Sequence, residues 1–209
     1  MKKEDIDYSV YLVTDRRNKT DEEFLNIIEE AIKGGTTVVQ LREKTASTKE
    51  FYDLALRVKE ITSRYGVPLL INDRIDIALA VDSEGVHIGQ DDMPADIARE
   101  IIGDDKILGV SASTVEEAKK AEMDSADYIG SGAVFPTVTK DDADSVSKEE
   151  LKEIVDSIDI PVVAIGGITI ENANTLKGSG IAGFSVVSAI MSAEDPKEAS
   201  LKLKEIYFS

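Results

Sequence analysis

The chain of 209 residues contains no cysteine, no tryptophan and a single histidine, His87. The absence of cysteine excludes disulfide bonds, thiol catalysis and cysteine-ligated metal sites. The single histidine stands inside an apolar run, so we expect a hydrogen-bonded interior residue rather than the base of a Ser-His-Asp triad. Aromatic residues make up only 5% of the chain, and the core must therefore be built mainly from Ile, Val, Leu and Ala.

Positive charge is scarce, because 24 Lys and Arg residues face 41 Asp and Glu residues and give a formal net charge of −17. Such an acidic surface repels nucleic acid and anionic lipid, so we expect neither as a partner. An anionic small molecule can bind only where local cations outweigh the overall field.

Long hydrophobic runs are also missing, since no apolar stretch approaches the roughly 20 residues of a membrane helix. The first five residues lack the apolar segment of a signal peptide. We therefore expect a cytoplasmic protein. No linker or low-complexity tract divides the chain, and its length suits one core, so residues 1–209 are predicted to form a single domain. Both a monomer and a homo-oligomer fit the sequence.

Eight short runs rich in Val, Ile and Leu recur along the chain. They occupy residues 10–14, 37–41, 68–71, 85–88, 107–111, 128–130, 162–165 and 183–187. Near-continuous apolar runs are typical of strands buried on both faces. Helical segments alternate with them, which predicts a parallel sheet. Eight such units favour a small (β/α)₈ TIM barrel, with an open doubly wound sheet as the alternative.

The helical segments carry recognisable start and stop signals. Four capping boxes are predicted, at Thr20 with Glu23, Ser47 with Glu50, Thr114 with Glu117, and Ser147 with Glu150. Helices are also expected over residues 75–80, 95–102, 170–177 and 196–206. Gly34 and Gly178 suit C-terminal caps.

Polar residues follow the predicted strands, and in a barrel such strand ends gather at one face. Asp73 and Asp92 follow the third and fourth strands, so the two carboxylates are expected to share a hard cation such as Mg²⁺. Asp91 is the rival of Asp92. Asp73 has an alternative role as a helix cap, for which aspartate is favoured.

Three cations, Arg42, Lys44 and Lys140, also stand at predicted strand ends. Arginine grips phosphate through paired hydrogen bonds, and lysine acts as a point charge. A departing diphosphate needs such cations and a metal, because its negative charge grows as the bond breaks. For each cation alone, a solvated loop position is the simpler interpretation.

The ends of the seventh and eighth strands are typical of a phosphate site. Gly166 and Gly167 would let backbone amides approach an anion, and Ser188 would add a hydroxyl at a helix start. A tight turn and an N-cap are the alternatives. The polar, irregular segment 133–146 reads as an active-site loop.

Seven segments occur in an order and spacing that together identify a family. They are Tyr11-Leu12-Val13-Thr14-Asp15, Gln40-Leu41-Arg42-Glu43-Lys44, Ile71-Asn72-Asp73, His87-Ile88-Gly89-Gln90-Asp91-Asp92, Gly109-Val110-Ser111-Ala112, Pro136-Thr137-Val138-Thr139-Lys140 and Ala164-Ile165-Gly166-Gly167-Ile168. From about Tyr11 to Ile190 the chain closely resembles the thiamine-phosphate synthase family. The resemblance implies a Mg²⁺-dependent transferase that joins a pyrimidine diphosphate to a thiazole phosphate and releases diphosphate.

The resemblance also implies roles for individual residues. Gln40, Leu41, Arg42, Glu43 and Lys44 would line the pyrimidine diphosphate site; Arg42, Lys44, Asn72 and Lys140 would hold the diphosphate; Asp73 and Asp92 would bind Mg²⁺; Ser111 would contact the pyrimidine; and Thr137, Val138, Thr139, Gly167, Val187 and Ser188 would bind the thiazole phosphate. Of these, Arg42, Lys44, Ser111 and Lys140 are the predicted catalytic residues.

One position departs from the family pattern, because Ser113 stands where members often have histidine. A related barrel, the thiazole tautomerase, relies on a histidine in that region for proton transfer, so Ser113 argues against a metal-independent isomerase. A non-catalytic protein that sequesters a phosphorylated precursor is the third hypothesis. The set of cations and carboxylates counts against it, since binding alone gains little from a metal at a leaving group.

Overall fold

Eight parallel strands close into a barrel in the computed structural model, which describes residues 3–137 and 145–209. The strands are β1 Val10–Val13, β2 Val38–Leu41, β3 Leu69–Asn72, β4 Gly85–Ile88, β5 Ile107–Ser111, β6 Tyr128–Ser131, β7 Val162–Ile165 and β8 Gly183–Val186. Each strand pairs with the next, and β8 pairs with β1. The predicted TIM barrel is confirmed, and the open sheet is excluded.

Helices surround this barrel. They are α1 Asp21–Gly34, α2 Thr48–Tyr65, α3 Ile75–Ala80, α4 Ala95–Ile102, α5 Val115–Met123, α6 Lys148–Asp156, α7 Ser188–Met191 and α8 Pro196–Phe208, with 3₁₀ turns at Lys3–Asp5 and Ala173–Leu176. All four predicted capping boxes are present. Along the described ranges, no helix is long and apolar enough to cross a membrane.

The helix predicted over residues 170–177 is wrong, because only a 3₁₀ turn forms there. The Asn172 side chain accepts a hydrogen bond from the amide of Thr169 and donates one to the carbonyl of Gly167, both at 2.8 Å. Such local bonds compete with the helical pattern. The cap after α1 is Gly35, with φ of 113°, rather than Gly34. Lys177, not Gly178, ends the 3₁₀ turn.

Successive strand residues point to opposite sides of the barrel wall, so the structure has two packed layers. The outer layer, between strands and helices, includes Leu12, Val39, Leu41, Leu69 and Ile71. The barrel interior holds Tyr8, Tyr11, Val13, Val38, Leu70, Ile107, Tyr128 and Val163. Because the interior is filled, any ligand must bind above it, at the carboxyl ends of the strands.

The two glycines after β7 let the loop after β6 pass directly over that strand end. Gly166 and Gly167 have positive φ values of 98° and 63°. A Cβ atom at Gly167 would lie 2.5 Å from the carbonyl oxygen of Pro136, and one at Gly166 would lie 2.5 Å from Ala133. Both the dihedral angles and the close approach therefore require glycine.

We expect Gly167→Ala to destabilise the fold more than Gly66→Ala, measured as the free energy of unfolding in urea. Gly66 is a matched control because its φ is 67° and a Cβ there meets nothing within 4 Å. Each substitution costs roughly 1–2 kcal/mol for the left-handed conformation. Gly167→Ala should cost about 1–3 kcal/mol more through overlap with Pro136. Equal losses would show that the loop simply moves aside.

We expect Ser47→Ala to lower the free energy of unfolding by about 1 kcal/mol. The Ser47 hydroxyl accepts a hydrogen bond from the amide of Glu50 and donates one to its carboxylate, so alanine removes both. Ser47→Thr keeps the hydroxyl and serves as the control in the same urea titration. A Ser47→Thr variant as unstable as Ser47→Ala would contradict a role of this capping box.

Candidate active site

A cleft of about 340 Å³ opens at the carboxyl ends of the strands. Six predicted site residues line it: Arg42, Ser111, Thr137, Gly167, Val187 and Ser188. They lie at the end of β5 or just after β2, β6, β7 and β8, so closure of the barrel brings them together from distant parts of the sequence.

The end of β2 is fixed by a residue that the sequence analysis did not assign. Thr14 directly follows β1, is fully buried, and accepts a hydrogen bond from the amide of Arg42 at 3.1 Å. Thr14 also lines the cleft. Its position immediately after an apolar run is the signal that could have identified it.

The predicted carboxylate pair stands at the ends of β3 and β4. Asp73 has a positive φ of 62° and donates its backbone amide to the carbonyl of His87 at 2.8 Å. Its carboxylate accepts a hydrogen bond from the Lys44 ammonium at 2.5 Å. The cap position of α3 belongs to Arg74, without a side-chain capping bond, so Asp73 is not a helix cap. A non-glycine residue held at positive φ is frequently functional.

Asp92 rather than Asp91 is the partner of Asp73. One Asp92 oxygen accepts the backbone amide of Gly89 at 2.7 Å. Desolvation and the neighbouring Asp73 carboxylate raise the pKa of Asp92, while the Gly89 amide opposes the shift. Two carboxylates that repel each other in this way gain stability from a shared cation. Across the described ranges, no group of three or more His, Asp or Glu side chains could hold a metal ion.

Two buried polar atoms near the end of β2 and β3 have no hydrogen-bond partner among the described residues. They are the amide nitrogen of Asn72 and one carboxylate oxygen of Glu43. Burial raises the pKa of Glu43. Unsatisfied buried groups are uncommon, and each needs a physical explanation. A ligand at the strand ends would supply the missing acceptor for Asn72.

Two further predicted residues, Gln40 and Leu41, do not line the cleft. Gln40 is buried and donates its side-chain amide to the Tyr11 hydroxyl at 2.6 Å. Leu41 is fully buried in the outer layer, between strands and helices. Strand alternation therefore turns the Leu41 side chain away from the cleft, and only its backbone could face a ligand.

Ser111 is held from two sides. Its hydroxyl lies 2.9 Å from the Nε2 atom of His87, and its carbonyl accepts the side-chain amide of Gln90 at 2.6 Å. His87 is buried, and its Nδ1 atom lies 2.7 Å from the Tyr128 hydroxyl. The expectation of a hydrogen-bonded interior histidine is confirmed. Ser113, where family members often have histidine, also lines the cleft.

Three predicted site residues, Val138, Thr139 and Lys140, lie outside the described residues. Among the others, the structure brings together two features: a cleft lined by Arg42, Ser111 and the glycine turn after β7, and the carboxylate pair with Lys44 beside it. This arrangement of cations, amide donors and paired carboxylates suits a polyanionic ligand that binds with a metal ion.

Comparisons with known proteins give the same family along almost the whole chain. A family model described as thiamine monophosphate synthase matches residues 10–190. The chain is 68% identical over 198 residues to the thiamine-phosphate synthase of Methanobrevibacter smithii, covering 95% of this chain and 94% of that protein. It is 55% identical over 203 residues to the thiamine-phosphate synthase of Clostridium tetani, covering 97% of each.

The fold comparison agrees with these relatives. A solved thiamine phosphate pyrophosphorylase from Pyrococcus furiosus superposes with a TM-score of 0.89 at 41% sequence identity, covering 97% of this chain and 96% of that one. The chain therefore belongs to the thiamine-phosphate synthase family and is a transferase.

Proposed function

We propose that the chain condenses 4-amino-2-methyl-5-(diphosphooxymethyl)pyrimidine with 4-methyl-5-(2-phosphooxyethyl)thiazole, giving thiamine phosphate and diphosphate. The observation that carries this proposal is the Asp73–Asp92 pair beside Lys44 and the unsatisfied Asn72 amide. Carboxylates for a metal, a cation and an amide donor are the groups that a departing diphosphate requires.

The residues present fit Mg²⁺ as the cofactor. Asp73 and Asp92 supply only oxygen atoms, and Mg²⁺ is usually held by one or two carboxylates together with substrate phosphate oxygens. The Lys44 ammonium at 2.5 Å from Asp73 indicates that this carboxylate takes a cationic partner. A bound Mg²⁺ would supply positive charge to the diphosphate oxygens.

The remaining groups are proposed to stabilise the leaving group, in a reaction that needs no protein base. Arg42, Lys44, the Asn72 amide and the predicted Lys140 would neutralise negative charge as the carbon–oxygen bond breaks. The electron-rich aminopyrimidine tolerates the cationic methylene that remains, so the substitution is proposed to be dissociative. The thiazole nitrogen then attacks without any proton transfer, which suits a chain whose one histidine is bonded to Tyr128 and Ser111.

The other side of the cleft is proposed to anchor the thiazole phosphate. Thr137, Gly167, Val187 and Ser188 line it, and Val138 and Thr139 are predicted to join them. The glycine turn lets backbone amides approach an anion closely. An anchored phosphate would hold the thiazole nitrogen in line with the reacting carbon, and such positioning can supply a large part of a rate enhancement.

Several broader expectations stay predictions. We propose that residues 1–209 form one domain and that the protein acts in the cytoplasm on small molecules; both a monomer and a homo-oligomer fit the sequence. A metal-independent isomerase is disfavoured because Ser113 in the cleft lacks a group that exchanges protons near neutral pH.

We expect thiamine phosphate, detected as thiochrome fluorescence, to form from both substrates with Mg²⁺ and not with EDTA. Asp92→Ala should lower turnover at least about 100-fold, the scale for losing electrostatic stabilisation of a leaving group, while Asp91→Ala should have a much smaller effect. Urea unfolding checks that both variants fold.

Three other outcomes would contradict the proposal. Equal product in EDTA would remove the metal from the reaction. Turnover of the thiazole phosphate alone in EDTA would favour an isomerase. Tight binding of either phosphate compound without product would favour the sequestering protein.

A further inference from the structure

Five side chains form a continuous hydrogen-bonded chain from the barrel interior to the cleft. The side-chain amide of Gln40 donates to the Tyr11 hydroxyl at 2.6 Å, and the Tyr11 and Tyr128 hydroxyls are 2.7 Å apart. The Tyr128 hydroxyl lies 2.7 Å from Nδ1 of His87, and Nε2 of His87 lies 2.9 Å from the Ser111 hydroxyl. Only Ser111, at the end of this chain, lines the cleft.

Two glycines in the barrel wall leave room for this hydrogen-bonded chain of side chains. A Cβ atom at Gly109 would lie 2.3 Å from the Tyr128 hydroxyl, and one at Gly130 would lie 3.0 Å from Cε1 of His87. Gly109 pairs with Tyr128 across β5 and β6, and Gly130 pairs with Ser111 two residues further along. Glycine at these two positions therefore leaves the room that the Tyr128 and His87 side chains occupy; a larger residue at Gly109 would overlap Tyr128.

The donor and acceptor roles along the chain follow from its inner end. The amide nitrogen of Gln40 can only donate, so the Tyr11 hydroxyl accepts there, and the order that gives the Tyr11 hydrogen an acceptor has Tyr11 donating to Tyr128. The Tyr128 hydroxyl in turn donates to Nδ1 of His87. A neutral imidazole that accepts at Nδ1 carries its hydrogen on Nε2, and this hydrogen is donated to the Ser111 oxygen.

Burial keeps both phenols protonated, which this order requires. Desolvation raises the pKa of Tyr11 and of Tyr128 above the ordinary range of tyrosine. Each hydroxyl therefore has one hydrogen to donate. At the outer end, the Ser111 oxygen is already an acceptor, so its own hydrogen is left for a group in the cleft.

We infer that Tyr11, Tyr128 and His87 are positioning residues that fix the Ser111 hydroxyl as a hydrogen-bond donor toward a ring nitrogen of the pyrimidine substrate. The inference rests on the proposed function, which places the pyrimidine against Ser111. It adds three residues that do not touch the substrate to the set on which turnover depends. Gln40 sets the direction of the whole chain.

A double-mutant cycle separates positioning from packing. Tyr128→Phe keeps the ring and removes the hydroxyl; it is measured alone and combined with Ser111→Ala, with the pyrimidine diphosphate varied at saturating thiazole phosphate and Mg²⁺. Tyr128→Phe alone should lower kcat/KM about tenfold, the effect of one misdirected hydrogen bond. Combined with Ser111→Ala, it should cause no further loss, because the effect acts through that hydroxyl.

Tyr8→Phe is the matched control. The Tyr8 ring packs against Tyr128 with centroids 4.9 Å apart, but its buried hydroxyl has no partner in the described structure. Removing this hydroxyl should leave kcat/KM within about twofold of wild type, because it makes no hydrogen bond that reaches Ser111. Where Tyr128→Phe fails to fold, Tyr11→Phe carries the same cycle one link further inward.

Two kinetic results would overturn the inference. Equal losses from Tyr128→Phe with and without the Ser111 hydroxyl would mean a packing role, and no loss in either background would mean that the chain does not position Ser111. In both cases wild type still forms product, so the proposed function stands. A wild-type protein that forms no product would overturn the proposed function and this inference together.

A second measurement needs no turnover. His87 is the only histidine in the sequence, so ¹⁵N NMR of histidine-labelled protein reports this ring alone. The expected result is the neutral tautomer with hydrogen on Nε2, shifting toward a tautomer mixture in Tyr128→Phe. Hydrogen on Nδ1 in the wild type would reverse the chain and overturn the inferred donor role of Ser111.

Discussion

Closure of the parallel barrel, through pairing of β8 with β1, is the constraint on which the rest of the structure depends. Parallel pairing places every carboxyl end at one face, and the register then decides which residues become neighbours. Asn72 pairs with His87 across β3 and β4, which sets the residues that follow these strands, Asp73 and Asp92, within reach of each other. Parallel pairing of β3 with β4 brings the two carboxylates together, and closure between β8 and β1 completes the face on which they lie.

The sequence predicted the features that depend on local pattern or on spacing. Capping boxes and apolar runs are local, and the face of the barrel that carries Asp73 and Asp92 follows from counting strands. The 3₁₀ turn at Ala173–Leu176 was missed because Asn172 bonds to two backbone groups across a turn that no pattern reveals. The side of the barrel wall to which Leu41 points could not be predicted either, since in a strand buried on both faces the apolar pattern does not distinguish the barrel interior from the helix side.

Polar groups inside the barrel distinguish this core from a purely apolar one. A buried hydroxyl or amide is costly unless it is hydrogen-bonded, and a fully connected set also fixes which rotamers are allowed. Gln40, Tyr11, Tyr128 and His87 satisfy one another in this way. The same interior therefore stabilises the barrel and sets the orientation of a group in the cleft.

The scarcity of positive charge affects how fast anions reach the cleft. With a net charge of −17, the molecule repels anions over about 10 Å at 0.1 M salt and over a longer range in dilute salt, and attraction begins only near Arg42 and Lys44. Both proposed substrates would then be captured slowly at low ionic strength, while free diphosphate, once away from these cations, would be driven outward. The surface as a whole thereby slows both the rebinding of free diphosphate and the capture of the substrates, an effect on association rates that no single residue of the site provides.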